Sequence, residues 1–256
     1  MVNPTATAGA RSALALVSLA LVAVPFGLLL VFVQGRWPPL QAVDEGARDD
    51  LHRFALDHTA FTTVMKALST LGSAPVYLVV FAVITGWLLH RRQFRLAAFT
   101  AVTEVGGAVL NEIVKTLVHR ARPIVTDPVA HASGLSFPSG HAQSAVVSFS
   151  LLLLLFWNGL TPVWRRVATT AAAAVVLGIG LSRIALSVHY VSDVLAGYAL
   201  GAAWIVAMTA AFTAWHTEQR PYRDGIGRSD QVLDPGARPE STEEATSKLS
   251  EGHDTP

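Results

Sequence analysis

The sequence predicts an all-α protein, a six-transmembrane-helix bundle with an amphipathic interfacial helix between helices 1 and 2. Three observations predict it. Of 256 residues, 52% are hydrophobic and only 14% charged, which is too little polar surface for a soluble domain of this size. The apolar residues gather in runs about as long as a helix needs to cross a hydrocarbon core of roughly 30 Å. Between the first two runs the pattern changes, and apolar residues recur at amphipathic helical spacing.

The first run, Ser12 to Gly35, is read as a retained helix rather than a signal peptide. It exceeds a signal core and has no small-x-small cleavage site before Gln34-Gly35-Arg36. Residues 1–11 precede it as a cytoplasmic N-terminal segment. From Asp44 to Lys66, residues Leu51, Phe54, Ala55, His58, Phe61, Val64 and Met65 fall near helical spacing, which predicts a helix lying on the outer membrane surface. Its acidic group, Asp44, Glu45, Asp49 and Asp50, reads as a solvated helix N-terminus rather than a cation site. Helix 2 follows as Ala67 to Leu89. Helix 3, Leu96 to Val118, is interrupted by Glu104, Asn111, Glu112 and Lys115; helix 4 runs from Ala142 to Trp164. Helix 5, Val167 to Ser187, carries Arg183 near its end, and helix 6 is Val194 to Trp215. The membrane domain therefore spans 12–215. Residues 216–256, polar and without apolar periodicity, read as a disordered cytoplasmic tail.

Orientation follows from the short basic loops. His90-Arg91-Arg92-Gln93-Phe94-Arg95 and Arg165-Arg166 are expected on the cytoplasmic side. Both termini then lie inside, and the remaining loops face outward. The absence of cysteine excludes disulfides, thiolate metal sites and cysteine nucleophiles. A net charge of +1 gives no case for nucleic-acid binding. The Ala-, Val- and Arg-rich composition suits a bacterial plasma-membrane protein.

Three polar blocks interrupt this apolar chain at the expected outer face: Lys115 with Arg122-Pro123, then Pro138-Ser139-Gly140-His141, then Ser182-Arg183 with His189 and Asp193. Ionisable groups beside membrane helices cost roughly 2.5 to 3.5 kcal/mol each on insertion scales and mark function. Lys115 and Arg122, seven residues apart, would share one helical face, with the helix ending where Pro123 disfavours helical geometry. Ser139 is placed to cap helix 4, Gly140 admits a close ligand, and the free first-turn N–H groups form an anion site toward which His141 would point. A break around Ser187 would bring Arg183 and His189 together. Asp193, four residues after His189, would accept the Nδ1 proton and leave Nε2 as a nucleophile.

Each block alone has a bland reading: headgroup snorkelling for the first, a plain cap for the second, and a structural ion pair or transporter relay for the third. Together they have complementary jobs. Lys115, Arg122 and Arg183 would neutralise phosphate oxygens, aided by Ser139 and Gly140. His189 would attack phosphorus while His141 protonates the leaving oxygen, giving a phosphohistidine that water then hydrolyses. The scheme requires no metal or other cofactor.

Lys-x6-Arg-Pro, Pro-Ser-Gly-His and Ser-Arg-x5-His-x3-Asp resemble the three-part signature of the type 2 phosphatidic acid phosphatase superfamily, the integral-membrane lipid phosphate phosphatases. The resemblance covers about Asp44 to Trp215. It implies a six-helix membrane domain, an outward-facing site and metal-independent dephosphorylation. His189 would be the nucleophile, Asp193 its orienter and His141 the general acid, with Lys115, Arg122, Ser139, Gly140 and Arg183 binding phosphate. Expected substrates are phosphatidic acid, phosphatidylglycerophosphate or a polyprenyl diphosphate, presented by the bilayer. The competing reading is a non-enzymatic transporter or binder of anionic lipids.

Outside the blocks, Glu104 is expected to hydrogen-bond within the bundle and Glu112 to pair with Lys115. His119, Arg120, Asp127 and His131 are expected as ordinary solvated loop residues rather than headgroup contacts. Trp204 and Trp164 read as packing or interface residues, and His52, His58, His90 and His216 as without a special role.

Overall fold

The computed structural model describes residues 4–218, and every described element is helical. The chain divides into two compact units, Met1–Ala214 and Trp215–Pro256. Of the second, only the last helical residues, through Glu218, are described, so the expected tail 216–256 lies almost wholly outside the described residues. The helices are α1 (Pro4–Gln34), α2 (Pro38–Asp57), α3 (Thr59–Leu71), α4 (Ala74–His90), α5 (Phe94–Val118), α6 (Gly140–Phe156), α7 (Pro162–Ala185) and α8 (Val191–Glu218).

Four of these, α5 to α8, are long and apolar enough to cross a membrane. The number rises to six if two bent pairs each count as one span: residues 20–34 with α2, meeting at 91°, and α3 with α4, meeting at 42°. The single interfacial helix expected over Asp44–Lys66 is two helices, broken at His58 between α2 and α3. Helix 4 also stops earlier than expected. A 3₁₀ turn at Trp157–Gly159 ends α6, and Thr161 caps α7, where Pro162 fits the first turn because its missing N–H has no helical partner there.

Short turns make α4 and α5, and α6 and α7, antiparallel neighbours; α3 packs on α7, and α6 lies between α5 and α7. The core joins Tyr77 and Phe81 of α4, Phe99 of α5, Ala145 and Leu151 of α6, Ile179 of α7 and Ile205 of α8. Burying such side chains contributes roughly 1.5–3 kcal/mol each in water-referenced terms. In lipid the drive shifts to close packing by small residues. Gly197 of α8 shows it: a Cβ there would stand 2.6 Å from the Ser139 carbonyl oxygen. Trp204 packs against Gly106 and Gly107 and donates from its indole N–H to the Thr103 carbonyl at 2.7 Å, the packing role expected of it. The chain path puts the C-terminal ends of α5 and α7 and the N-terminal ends of α6 and α8 at one end of the bundle. All three polar blocks meet there, opposite the Arg91-Arg92 and Arg165-Arg166 turns.

Candidate active site

The first block leaves its helix sooner than its spacing suggests. Helix α5 ends at Val118, and His119 adopts a left-handed conformation at φ 53°, its N–H bonded to the Lys115 carbonyl. Lys115 therefore stays in the last helical turn while Arg122 sits on extended chain beyond it. The two share a cleft through this reversal rather than through a common helical face. Lys115 pairs with Glu112 at 3.0 Å, as the i,i+3 spacing predicted.

The second block is anchored from both sides. The Ser136 N–H bonds the Arg120 carbonyl at 2.8 Å, and the Ser139 N–H bonds the Asp193 carbonyl at 2.9 Å. Ser139 caps α6, its hydroxyl accepting from the Ala142 N–H at 3.5 Å, the role expected for a serine before a helix. The cap is fully buried, whereas Gly140 and His141 line the cleft.

In the third block, α7 ends at Ala185 and the chain reverses at Ser187, φ 57°, where the sequence predicted a break. Helix α8 starts only at Val191, so His189 and Asp193 are not on one helix. Asp193 instead sits in the first turn of α8 and reaches back to the Tyr190 N–H at 2.9 Å, as the third residue of a capping box does. The same oxygen, Oδ2, faces His189 Nδ1 at 3.5 Å and accepts a hydrogen bond from the Ser136 hydroxyl.

Hydrogen bonding sets the tautomer of His189. Arg122 lies 2.9 Å from Nε2, and a guanidinium only donates, so Nε2 presents a lone pair. The imidazole proton is then on Nδ1, toward Asp193. Burial disfavours the imidazolium and pulls His189 down to about 4, outweighing the upward pull of Asp193 and reinforced by Arg122 and Arg183. The ring is neutral at pH 7. Arg122 is braced by donation to the Ser133 and Gly134 carbonyls, 3.1 Å each, and to the Val188 carbonyl at 2.8 Å. Burial also pulls this guanidinium below its usual value, but it stays charged.

These groups surround a cleft of about 490 Å³ lined by Lys115, Arg122, Gly140, His141, Arg183 and His189, large enough for a phosphoryl group and part of a headgroup. Arg183 donates to Ser69 from one terminal nitrogen, while its buried Nε has no hydrogen-bond partner among the described residues. A buried donor of this kind is costly unless something accepts from it, and an oxyanion in the cleft would. Of the eight predicted site residues, six line this cleft. Asp193 stands behind His189, and Ser139 beneath Gly140.

Four expectations are corrected. Asp44 is not part of a solvated helix N-terminus: α2 begins at Pro38, and Asp44 in its second turn is 1% exposed, while Glu45, Asp49 and Asp50 are exposed. Arg120 is no solvated loop residue; it donates to Asp44 at 2.8 Å and to Asp193 at 2.6 Å. His52 bridges the Thr126 carbonyl at 3.0 Å and the Ser187 hydroxyl at 3.1 Å, tying α2 to the α5–α6 loop and the α7–α8 turn. His131, also read as loop, lines the cleft. Among the described residues no three His, Asp or Glu side chains cluster as a metal site. Glu104 bonds Ser148 at 3.2 Å inside the bundle, as expected.

Comparison with known proteins bears on family and fold. A family model described as the PAP2 superfamily matches residues 94–217. The chain is 27% identical over 140 residues to a phosphatidylglycerophosphatase B of Bacillus subtilis, covering 54% of this chain and 68% of that one. It is 31% identical over 150 residues to a decaprenylphosphoryl-5-phosphoribose phosphatase of Mycobacterium tuberculosis, covering 57% and 78%. The crystal structure of a transmembrane PAP2-type phosphatidylglycerolphosphate phosphatase from Bacillus subtilis superposes with a TM-score of 0.69 over 80% of this chain and 99% of that one, at 21% identity.

Proposed function

This chain belongs to the PAP2 superfamily and is a multi-pass membrane phosphatase, and from that premise we propose that it hydrolyses a phosphomonoester or diphosphate of a membrane lipid through a phosphohistidine intermediate at the outer membrane face. One observation carries the reading: a neutral imidazole whose Nε2 lone pair is held 2.9 Å from Arg122, in a cleft that also presents Lys115, Arg183 and His141.

The phosphate enters with its non-bridging oxygens toward Lys115, Arg122 and Arg183, and toward the first-turn N–H groups of α6 beside Gly140. Arg122 transfers its donor from Nε2 to a phosphate oxygen, which frees the lone pair. Nε2 then forms a bond to phosphorus as the bond to the lipid oxygen breaks, and His141 delivers the proton that the leaving oxygen needs. Asp193 holds the Nδ1 proton and balances the positive charge that grows on the ring. In the second half, His141 takes a proton from water, the hydroxyl oxygen bonds to phosphorus, and the phosphorus–nitrogen bond breaks to release orthophosphate. Lys115, Arg122 and Arg183 supply the charge stabilisation throughout, with Ser139 acting as the cap that holds the first turn of α6, so metal ions are not required.

Phosphatidic acid, phosphatidylglycerophosphate and polyprenyl diphosphates share the group that this cleft fits. The test is phosphate release from each of these lipids by purified protein in detergent with EDTA. His189→Ala should lose more than about 10⁴-fold in turnover and should trap no acid-labile phosphoryl adduct. Full turnover by that variant would sink the mechanism. Lipid binding or flux without any release by the wild type would instead favour the transporter reading.

A further inference from the structure

Arg120 lies outside the signature positions, yet it is paired with two buried carboxylates. Its fork spans two elements. One terminal nitrogen donates to Asp193 Oδ1 at 2.6 Å and to the Ser192 hydroxyl at 2.7 Å; the other donates to Asp44 Oδ2 at 2.8 Å. The guanidinium lies over the Tyr190 ring at 4.3 Å. Asp44 also accepts from the Ser192 N–H at 2.8 Å and from the Ser192 hydroxyl at 2.5 Å. Both carboxylates are buried, Asp44 at 1% and Asp193 at 0% exposure, while the Arg120 side chain is 18% exposed.

The position of Arg120 separates it from the phosphate binders. It borders a hollow of about 200 Å³ beside Asp44 and Tyr190 rather than the cleft beside His189. Whatever it does for the reaction, it does through Asp193. We infer that Arg120 is a positioning residue: clamped between Asp44 and Asp193, it fixes the Asp193 carboxylate and absorbs its charge, so that Asp193 aligns the His189 imidazole without drawing a second proton onto it. This rests on the reading of His189 as the nucleophile.

The physical argument is competition for one carboxylate. Asp193 Oδ1 is taken by Arg120, and Oδ2 is shared by Ser136, the Tyr190 N–H and the His189 ring. A carboxylate with a forked cation on its far side exerts a weaker pull on the near one. Around His189, every other charged neighbour is cationic or can become so: Arg122 from the loop, Arg183 from α7, His141 from α6 and Lys115 from α5, with Ser136 neutral. Glu112 at the cleft rim is paired with Lys115. Asp193 is thus the carboxylate that favours an imidazolium, and Arg120 sets how strongly. Burial opposes the Arg120 charge, but Asp193 and Asp44 together raise it above its usual value, so the clamp is charged at any working pH. Lysine could neutralise but not span, since an ammonium has no rigid fork to hold two carboxylates in register.

The experiment pairs kinetics with a readout that needs no turnover. The His189 ring is titrated by ¹⁵N NMR in histidine-labelled protein, its signal assigned by loss in His189→Gln, alongside pH profiles of kcat/KM. In Arg120→Gln, which keeps donors but no charge, the His189 titration and the acid limb should both move up by about one pH unit or more. Arg120→Lys keeps the charge without the fork; its titration should stay near wild type while kcat falls about ten- to a hundredfold at unchanged KM. In Asp44→Asn, which leaves the guanidinium wholly to Asp193, the titration should not rise. A purely structural Arg120 predicts lower melting temperatures with an unmoved titration in all three. An unshifted His189 titration in folded Arg120→Gln, or wild-type kcat in Arg120→Lys, overturns the inference. A wild type that releases no phosphate, while the titration still shifts in Arg120→Gln, overturns the phosphatase reading and leaves this relationship standing.

Discussion

Arg122 donates to Nε2 of His189 at 2.9 Å, so the atom read as the nucleophile is covered by the cation read as its phosphate ligand. Attack requires Arg122 to exchange the imidazole for a phosphate oxygen, and a forked side chain can make that exchange without moving far. Arg122→Lys retains the charge and loses the fork. Its kcat/KM on lipid phosphates should fall between about ten- and a thousandfold, with both kcat and KM affected. Steady-state kinetics with unchanged KM would count against a direct phosphate contact.

The buried His189 also links stability to pH. Burial lowers its folded value to about 4 from the ordinary 6.5. A group depressed in the folded state contributes stability that is complete above its unfolded value, about 6.5, and is lost as the pH falls through about 4. The difference in melting temperature between wild type and His189→Gln in detergent should be constant above pH 6.5 and shift against the wild type between pH 6.5 and 4. A difference that stays flat to pH 4 would show that the ring does not titrate as its burial dictates.

His141 lines the cleft beside His189 and is proposed to protonate the leaving oxygen. An alkoxide leaving group is nearly as basic as hydroxide, water having a pKa of about 15.7, whereas a departing phosphate is far less basic. His141→Ala should therefore slow monoester hydrolysis by about 10²- to 10⁴-fold and diphosphate hydrolysis much less. Equal losses on phosphatidic acid and a polyprenyl diphosphate would remove His141 from that role.

Gly197 is where α8 meets the start of α6. A methyl at this position would lie 2.6 Å from the Ser139 carbonyl and 3.0 Å from the Ala142 methyl. Gly197→Ala should destabilise the protein by about 1–3 kcal/mol and displace the block that carries His141. Gly86→Ala, where nothing lies within 4 Å, is the matched control and should leave the melting temperature unchanged. Equal melting temperatures for the two variants would mean that α8 can retreat from α6 at little cost.

Sequence pattern revealed this site where chemistry and local geometry coincide. The helix starts at Gly140 and Val191, the reversal at Ser187 and the Lys115–Glu112 pair all follow from residues within a few positions of one another. Six of the predicted site residues line one cleft because costly charges in an apolar chain have few other reasons to be there. Arg120 and Asp44 were hidden by distance. They are 76 positions apart, and each alone resembles a solvated charge near a helix end. The available clue was faint: Asp44 lies a full turn inside a helix that begins with Pro38-Pro39. The break at His58 was missed because the apolar period continues across it from Phe54 to Phe61.

The Ser139 N–H bonds the Asp193 carbonyl, which joins the start of α6 to the start of α8 across more than fifty residues of chain. Without α8 in place, Ser139 loses its bond to the Asp193 carbonyl and Arg120 loses Asp193 and Ser192. The cleft is therefore complete only where α8 is docked against α6.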